Sequence, residues 1–146
     1  MDKHIDVVSD GTYSKGKDRL QVIHYHGEEK STFIITEDYH NLNPFEKKVK
    51  VKLKHLEKFI DKLVKVTEVV RNQRNEGVYN GNSGEYFVKK KSKTTLSTLA
   101  SNGEIGVAIN PSNDDCAVIF ITLSKADELV LELIALAEKL ELEGGE

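Results

Sequence analysis

The segment Lys47–Arg71, KKVKVKLKHLEKFIDKLVKVTEVVR, changes its hydrophobic period partway along. From Lys47 to Lys54, Val49, Val51 and Leu53 alternate with Lys48, Lys50, Lys52 and Lys54. That is the two-residue period of a strand with one buried and one solvated face, as in an antiparallel sheet. From His55 to Arg71 the apolar residues Leu56, Phe59, Ile60, Leu63, Val66 and Val70 recur at helical spacing. A strand leading directly into an amphipathic helix is the unit from which the fold is read.

Upstream, Arg19–His26 and Ser31–Thr36 are rich in β-branched and aromatic residues. Gly27-Glu28-Glu29-Lys30 between them predicts a hairpin turn. Asn41–Pro44 is a loop signal, and an earlier strand is supplied by Ile5–Val8 or by Thr12–Tyr13. Downstream, Arg71–Gly84 holds four asparagines and three glycines, a linker composition. Strands are then predicted over Glu85–Lys91, Lys93–Ala100, Glu104–Asn110 and Cys116–Leu123, with a Ser101-Asn102-Gly103 turn and a Pro111–Asp115 loop. Ser124 caps a helix to about Leu142, with Asp127 three residues on in capping-box position and a stripe of Val130, Leu133, Ile134, Ala137 and Leu140.

The two strand-then-helix units superpose in hydrophobicity at an offset of 70: Val49, Val51 and Leu53 fall on Ile119, Ile121 and Leu123, and Leu63, Val64 and Val66 fall on Leu133, Ile134 and Leu136. The expected fold is therefore α+β, a tandem ββββα repeat, with two antiparallel sheets each followed by a helix packed on it. One pseudo-duplicated domain spans 1–146, with a first repeat at about 5–71, a linker at about 72–84 and a second repeat at about 85–142. A half of ~70 residues is marginal alone, so the halves are expected to share one core.

Composition narrows the function classes. Hydrophobic residues make 38% and charged residues 31%, a globular rather than a disordered balance. The single cysteine, Cys116, excludes an intrachain disulfide and a Cys-x-x-Cys metal site. No apolar run reaches the ~18 residues of a membrane helix. The N-terminus has no apolar stretch like a signal peptide's, so a cytoplasmic location is expected. The net charge of −3 conceals a polarity: residues 1–46 carry −4, residues 47–93 carry +9 and residues 94–146 carry −8. A central segment at +9 can hold a positive surface on an acidic chain.

A tandem ββββα arrangement of this length resembles the Whirly family and the related PUR-domain proteins, over roughly residues 5–142. Lys15-Gly16-Lys17-Asp18-Arg19-Leu20, leading into a strand, resembles the Lys-Gly-Lys-Ala-Ala-Leu string that plant Whirly proteins carry at the matching point, with Asp18 and Arg19 in place of the two alanines. Thr122–Asp127 also resembles that family's approach to its final helix. The resemblance implies sheet surfaces that bind single-stranded DNA through stacking and backbone contacts, with low sequence preference. It further implies oligomers, often tetramers, joined through the helices.

Single-strand binding needs cations for phosphates and flat side chains for bases. The chain interleaves both at strand ends: Lys15, Lys17, Arg19 and Tyr25 in the first half, and Tyr86, Phe87, Lys89, Lys90, Lys91 and Lys93 in the second. Within Glu85–Lys91, Tyr86 and Phe87 alternate, so one enters the core and the other stands beside lysines. The Lys48/Lys50/Lys52/Lys54 ladder either binds phosphates or protects an edge strand from aggregation. His24 and His26 share a strand face, without a third metal ligand at fixed spacing. No nucleophile constellation, dinucleotide motif or phosphate loop is present, so no catalytic residue, metal or cofactor is expected.

The reading that results is a non-enzymatic, sequence-tolerant binder of single-stranded DNA, or RNA, acting in replication, recombination, repair or transcription. It is expected to be a homo-oligomer, a dimer or tetramer joined through helices. The alternative is an inhibitor or sequestering module that binds a protein partner or a small anionic nucleotide.

Overall fold

A computed structural model describes residues 3–11, 18–37, 45–76, 83–89, 94–110 and 116–144. The strands are β1 (Lys3–Val8), β2 (Arg19–His24), β3 (Lys30–Glu37) and β4 (Phe45–Lys52), followed by the helix α1 (Leu53–Glu76). The same order follows in β5 (Ser83–Lys89), β6 (Thr94–Ser101), β7 (Glu104–Asn110), β8 (Ala117–Ile121) and α2 (Leu123–Gly144). The strands form two antiparallel four-stranded meanders, β1-β2-β3-β4 and β5-β6-β7-β8. The class is α+β, and each helix follows a sheet. The first strand is the Ile5–Val8 alternative; Thr12–Tyr13, Asn41–Pro44 and Pro111–Asp115 lie outside the described residues. The first helix runs on through Glu76 into the expected linker.

Alternation sets the faces of the first sheet. Ile5, Val7, Leu20, Val22, Phe33, Ile35, Val49 and Val51 are buried on one side. The residues between them are exposed or half-buried on the other. Turn chemistry sets the registers. At the first hairpin Glu28 N–H donates to the Tyr25 carbonyl (3.0 Å), and Gly27 takes φ +88°, a conformation that a Cβ disfavours. Between β6 and β7, Asn102 and Gly103 both take positive φ (50° and 80°), the two-residue turn whose twist suits a hairpin.

The helices do not cover the sheets as the repeat pattern suggests. Rather than packing chiefly on its own sheet, α1 crosses to β5 and β6 of the second, while α2 lies against α1, β1 and β7. The sheets themselves meet where β3 and β4 approach β7 and β8. The physical reason is burial of apolar surface: with α1 over the second sheet and α2 against α1 and a strand of each sheet, both apolar stripes enter one common interior. Leu56, Phe59, Leu63, Val66 and Val70 of α1 and Leu129, Leu133, Leu136 and Leu140 of α2 share one buried cluster with both sheets. Phe33 of β3 meets Phe59 edge-on, with ring centroids 5.6 Å apart at 77°. Ile134 of the expected α2 stripe stays part-exposed, as does Val64 of α1.

A polar latch joins the start of the chain to the second half. Ser9 Oγ and Gly11 N–H donate to the Phe120 carbonyl (2.7 and 3.1 Å). The Asp10 carboxylate accepts from Thr122 N–H (2.8 Å) and from the Thr122 hydroxyl (2.7 Å). Lys125 Nζ donates to the Val8 carbonyl (2.6 Å). The first helical bond of α2 runs from Ala126 N–H to the Thr122 carbonyl (2.9 Å), so the cap of α2 is Thr122, not Ser124. Asp127, expected in a capping box, accepts instead from Arg71 of α1 (2.8 Å). That bond and the Asp127 charge hold the guanidinium pKa above its usual value. Among the described residues no helix is long and apolar enough to cross a membrane.

Candidate nucleic-acid interface

The outward face of the first sheet is where a candidate interface can be built residue by residue. Strand alternation places His4 and Asp6 of β1, Arg19, Gln21 and Ile23 of β2, Lys30, Thr32, Ile34 and Thr36 of β3, and Glu46, Lys48, Lys50 and Lys52 of β4 on this side. The register orders them into rows. Asp6, Gln21, Ile34 and Lys48 stand abreast, as do His4, Ile23, Thr32 and Lys50. The face is therefore graded: acid and imidazole on the β1 edge, amide, hydroxyl and aliphatic groups in the middle, and on the β4 edge three amines with the Glu46 carboxylate at one end.

Of the residues singled out from sequence, Arg19 and Tyr25 fall on β2 and just beyond its end. They lie roughly 20 Å apart along the strand direction. Tyr25 is 51% exposed beside the first hairpin, its ring open to a stacking partner. Arg19 is half-exposed and ion-paired with Asp6 across the β1–β2 ladder (3.2 Å), so part of its charge is already answered. Tyr86, Phe87 and Lys89 lie on β5, in register with Ser97, Leu96 and Thr94. Leu96 and Ser97 are both buried, so the register does not separate the two aromatic positions. Lys15, Lys17, Lys90, Lys91 and Lys93 lie outside the described residues. The structure thus brings two of the ten candidates, Arg19 and Tyr25, onto one described face.

Sequence reasoning passed over the middle of that face. Gln21, Ile23, Thr32 and Ile34 are half-buried and outward. Their signal was the alternation within Arg19–His26 and Ser31–Thr36, but only the register shows that they lie abreast of the lysines.

The histidines separate. His24 is fully buried, its Nε2 2.8 Å from the Glu28 carbonyl. His26 belongs to the turn, with Nδ1 3.5 Å from Glu143 of α2. They do not share a strand face, because β2 ends at His24. Cys116 precedes β8 and is exposed as a residue; partial desolvation of its sulfur, then the charge of Glu37, push the thiol pKa up. A cleft of about 610 Å³ opens between the first hairpin, the start of α1 and the end of α2, lined by Glu28, Glu29, Lys52, Lys54, Leu140 and Glu143 among others. Its lining mixes both charges and presents no uniformly cationic surface to an anion.

Compared with family models and with curated proteins, the sequence matches none.

Proposed function

We propose that this chain binds single-stranded DNA, or RNA, with little sequence preference, and that it does so as a Whirly-like tandem repeat without catalytic activity. The observation that carries the reading is the outward face of the first sheet: four strands wide, cationic along one edge, aliphatic and hydroxyl-bearing in its middle, with Tyr25 exposed at one end. Such a face offers what a sequence-tolerant single-strand site requires, cations for the backbone and flat or apolar surface for unpaired bases. Lys15, Lys17, Arg19, Lys89, Lys90, Lys91 and Lys93 are the proposed phosphate contacts, and Tyr25 with Tyr86 or Phe87 the proposed stacking groups. Replication, recombination, repair or transcription in the cytoplasm is the proposed setting.

Self-association through the helices belongs to the same proposal. Leu131, Ile134 and Leu142 of α2 follow helical spacing on one face, and Leu131 and Leu142 are 68% and 83% exposed. Val64 of α1 is also part-exposed. Apolar residues aligned in this way suit burial against another copy better than contact with water.

The test is a length series of labelled oligonucleotides, with unlabelled mononucleotide as competitor. Affinity that grows with length and resists mononucleotide supports a strand-binding face. Affinity independent of length, and lost to mononucleotide, supports a small anionic ligand instead. On the strand-binding reading, Tyr25→Ala removes one stacked base, about 1–3 kcal/mol, or roughly 5- to 150-fold in affinity.

A further inference from the structure

We propose that the phosphates of the bound strand run along β4, on Lys48, Lys50 and Lys52, with the bases laid inward over β3 and β2. The inference rests on the single-strand reading above and gives that reading a direction across the sheet. Outward residues on a strand repeat at about 6.7 Å, two residues of rise. That is comparable to the interval between successive phosphates of an extended single strand, so three lysines on one row meet three consecutive phosphates. The register then decides what lies beside them: Ile34 is opposite Lys48 and Thr32 opposite Lys50, with Gln21 and Ile23 on the next strand. Those half-buried side chains offer bases apolar contact and hydrogen bonding. On the opposite edge the Asp6 carboxylate already holds Arg19 at 3.2 Å, whereas β4 sets three lysines against the one carboxylate of Glu46.

Edge protection alone does not account for this arrangement. It explains lysines on the edge strand β4, but not Lys30 on the interior strand β3 directly opposite Lys52. Like charges placed opposite one another destabilise a ladder. A polyanion beside them relieves that repulsion. The pairs Lys48–Glu46 and Lys52–Glu29, both 3.5 Å and exposed, are of the weak kind that a phosphate displaces readily.

The test is lysine acetylation footprinting of the parent chain, with and without a saturating ~20-nucleotide oligothymidylate. The expected result is protection of Lys48, Lys50 and Lys52, while the exposed α1 residues Lys58 and Lys65 react as before. In parallel, the triple variant Lys48→Gln/Lys50→Gln/Lys52→Gln is titrated across salt. Each single-strand phosphate contact contributes about −0.7 to the log–log slope, so the triple variant's slope is shallower by about 2. Over a rise from about 50 to about 200 mM salt, its affinity falls ~20-fold less than the parent's. A parent that binds the oligonucleotide while Lys48, Lys50 and Lys52 react unchanged overturns the β4 track and leaves single-strand binding standing. A parent that binds no oligonucleotide at low salt overturns both. The footprint is read on the parent, so it decides the matter even if the triple variant aggregates.

Discussion

Replacing Gly11 with alanine tests how the first half is fastened to the second. Gly11 is needed for closeness rather than for backbone conformation, since it is not among the residues with positive φ. A Cβ there would lie 2.7 Å from Phe120 Cβ, 2.9 Å from the Phe120 carbonyl oxygen and 2.8 Å from Glu104 Oε1. The Glu104 carboxylate can swing aside. The Phe120 atoms cannot, because β8 is held by its ladder to β7. The segment Ser9–Gly11 must therefore retreat, lengthening the bonds from Ser9 Oγ and Gly11 N–H to Phe120. Overpacking of this kind costs about 1–3 kcal/mol. For a chain of this size each kcal/mol lowers Tm by roughly 2–4 °C, so Gly11→Ala is expected to melt about 2–12 °C below the parent by circular dichroism. Gly27→Ala is the contrasting case: nothing lies within 4 Å of its Cβ, and any loss there comes from φ +88° alone. If Gly11→Ala melts with the parent, the close seating of the chain's first segment on β8 is wrong.

Three further outcomes are expected. Phe59→Ala removes a fully buried ring and its edge contact with Phe33, and should destabilise by about 3–5 kcal/mol, read as a shift in the urea midpoint at unchanged slope; a change under about 1 kcal/mol would contradict the placement of α1. Cys116, with its pKa raised by burial and by Glu37, should react with a disulfide reagent more slowly at neutral pH than an unperturbed thiol, and faster as pH rises; Glu37→Gln should shift that profile to lower pH. Leu131→Glu/Leu142→Glu should leave the melting temperature nearly unchanged but lower the sedimenting mass of any oligomer, and an unaltered mass would remove α2 from the proposed contact.

The elements were legible wherever one local rule governs them. Lys47–Arg71 shows its strand and its helix because alternation and helical spacing each need only a few neighbours, and the observed junction, Lys52 to Leu53, falls within that segment. Asn102-Gly103 could be read as a turn because few residues accept positive φ. What escaped the sequence is set by partners far along the chain. Ser124 followed by Asp127 has the spacing of a capping box, but Asp10 binds Thr122 and Arg71 takes Asp127, moving the cap two residues earlier. An apolar stripe says that a helix is covered, not by which sheet, so the crossing of α1 to β5 and β6 could not be read from Leu56 or Phe59. The candidate site was legible only as a supply of cations and aromatics. The rows that set Lys48 beside Ile34 and Lys50 beside Thr32 exist only in the register.

The most direct test of the central claim is fluorescence anisotropy with a labelled ~30-nucleotide DNA of mixed sequence, single- and double-stranded, at low and moderate salt. The account predicts tighter binding to the single strand, weakened by salt with a slope of several phosphate contacts. Equal affinity for duplex and single strand, or no binding at low salt, would contradict it.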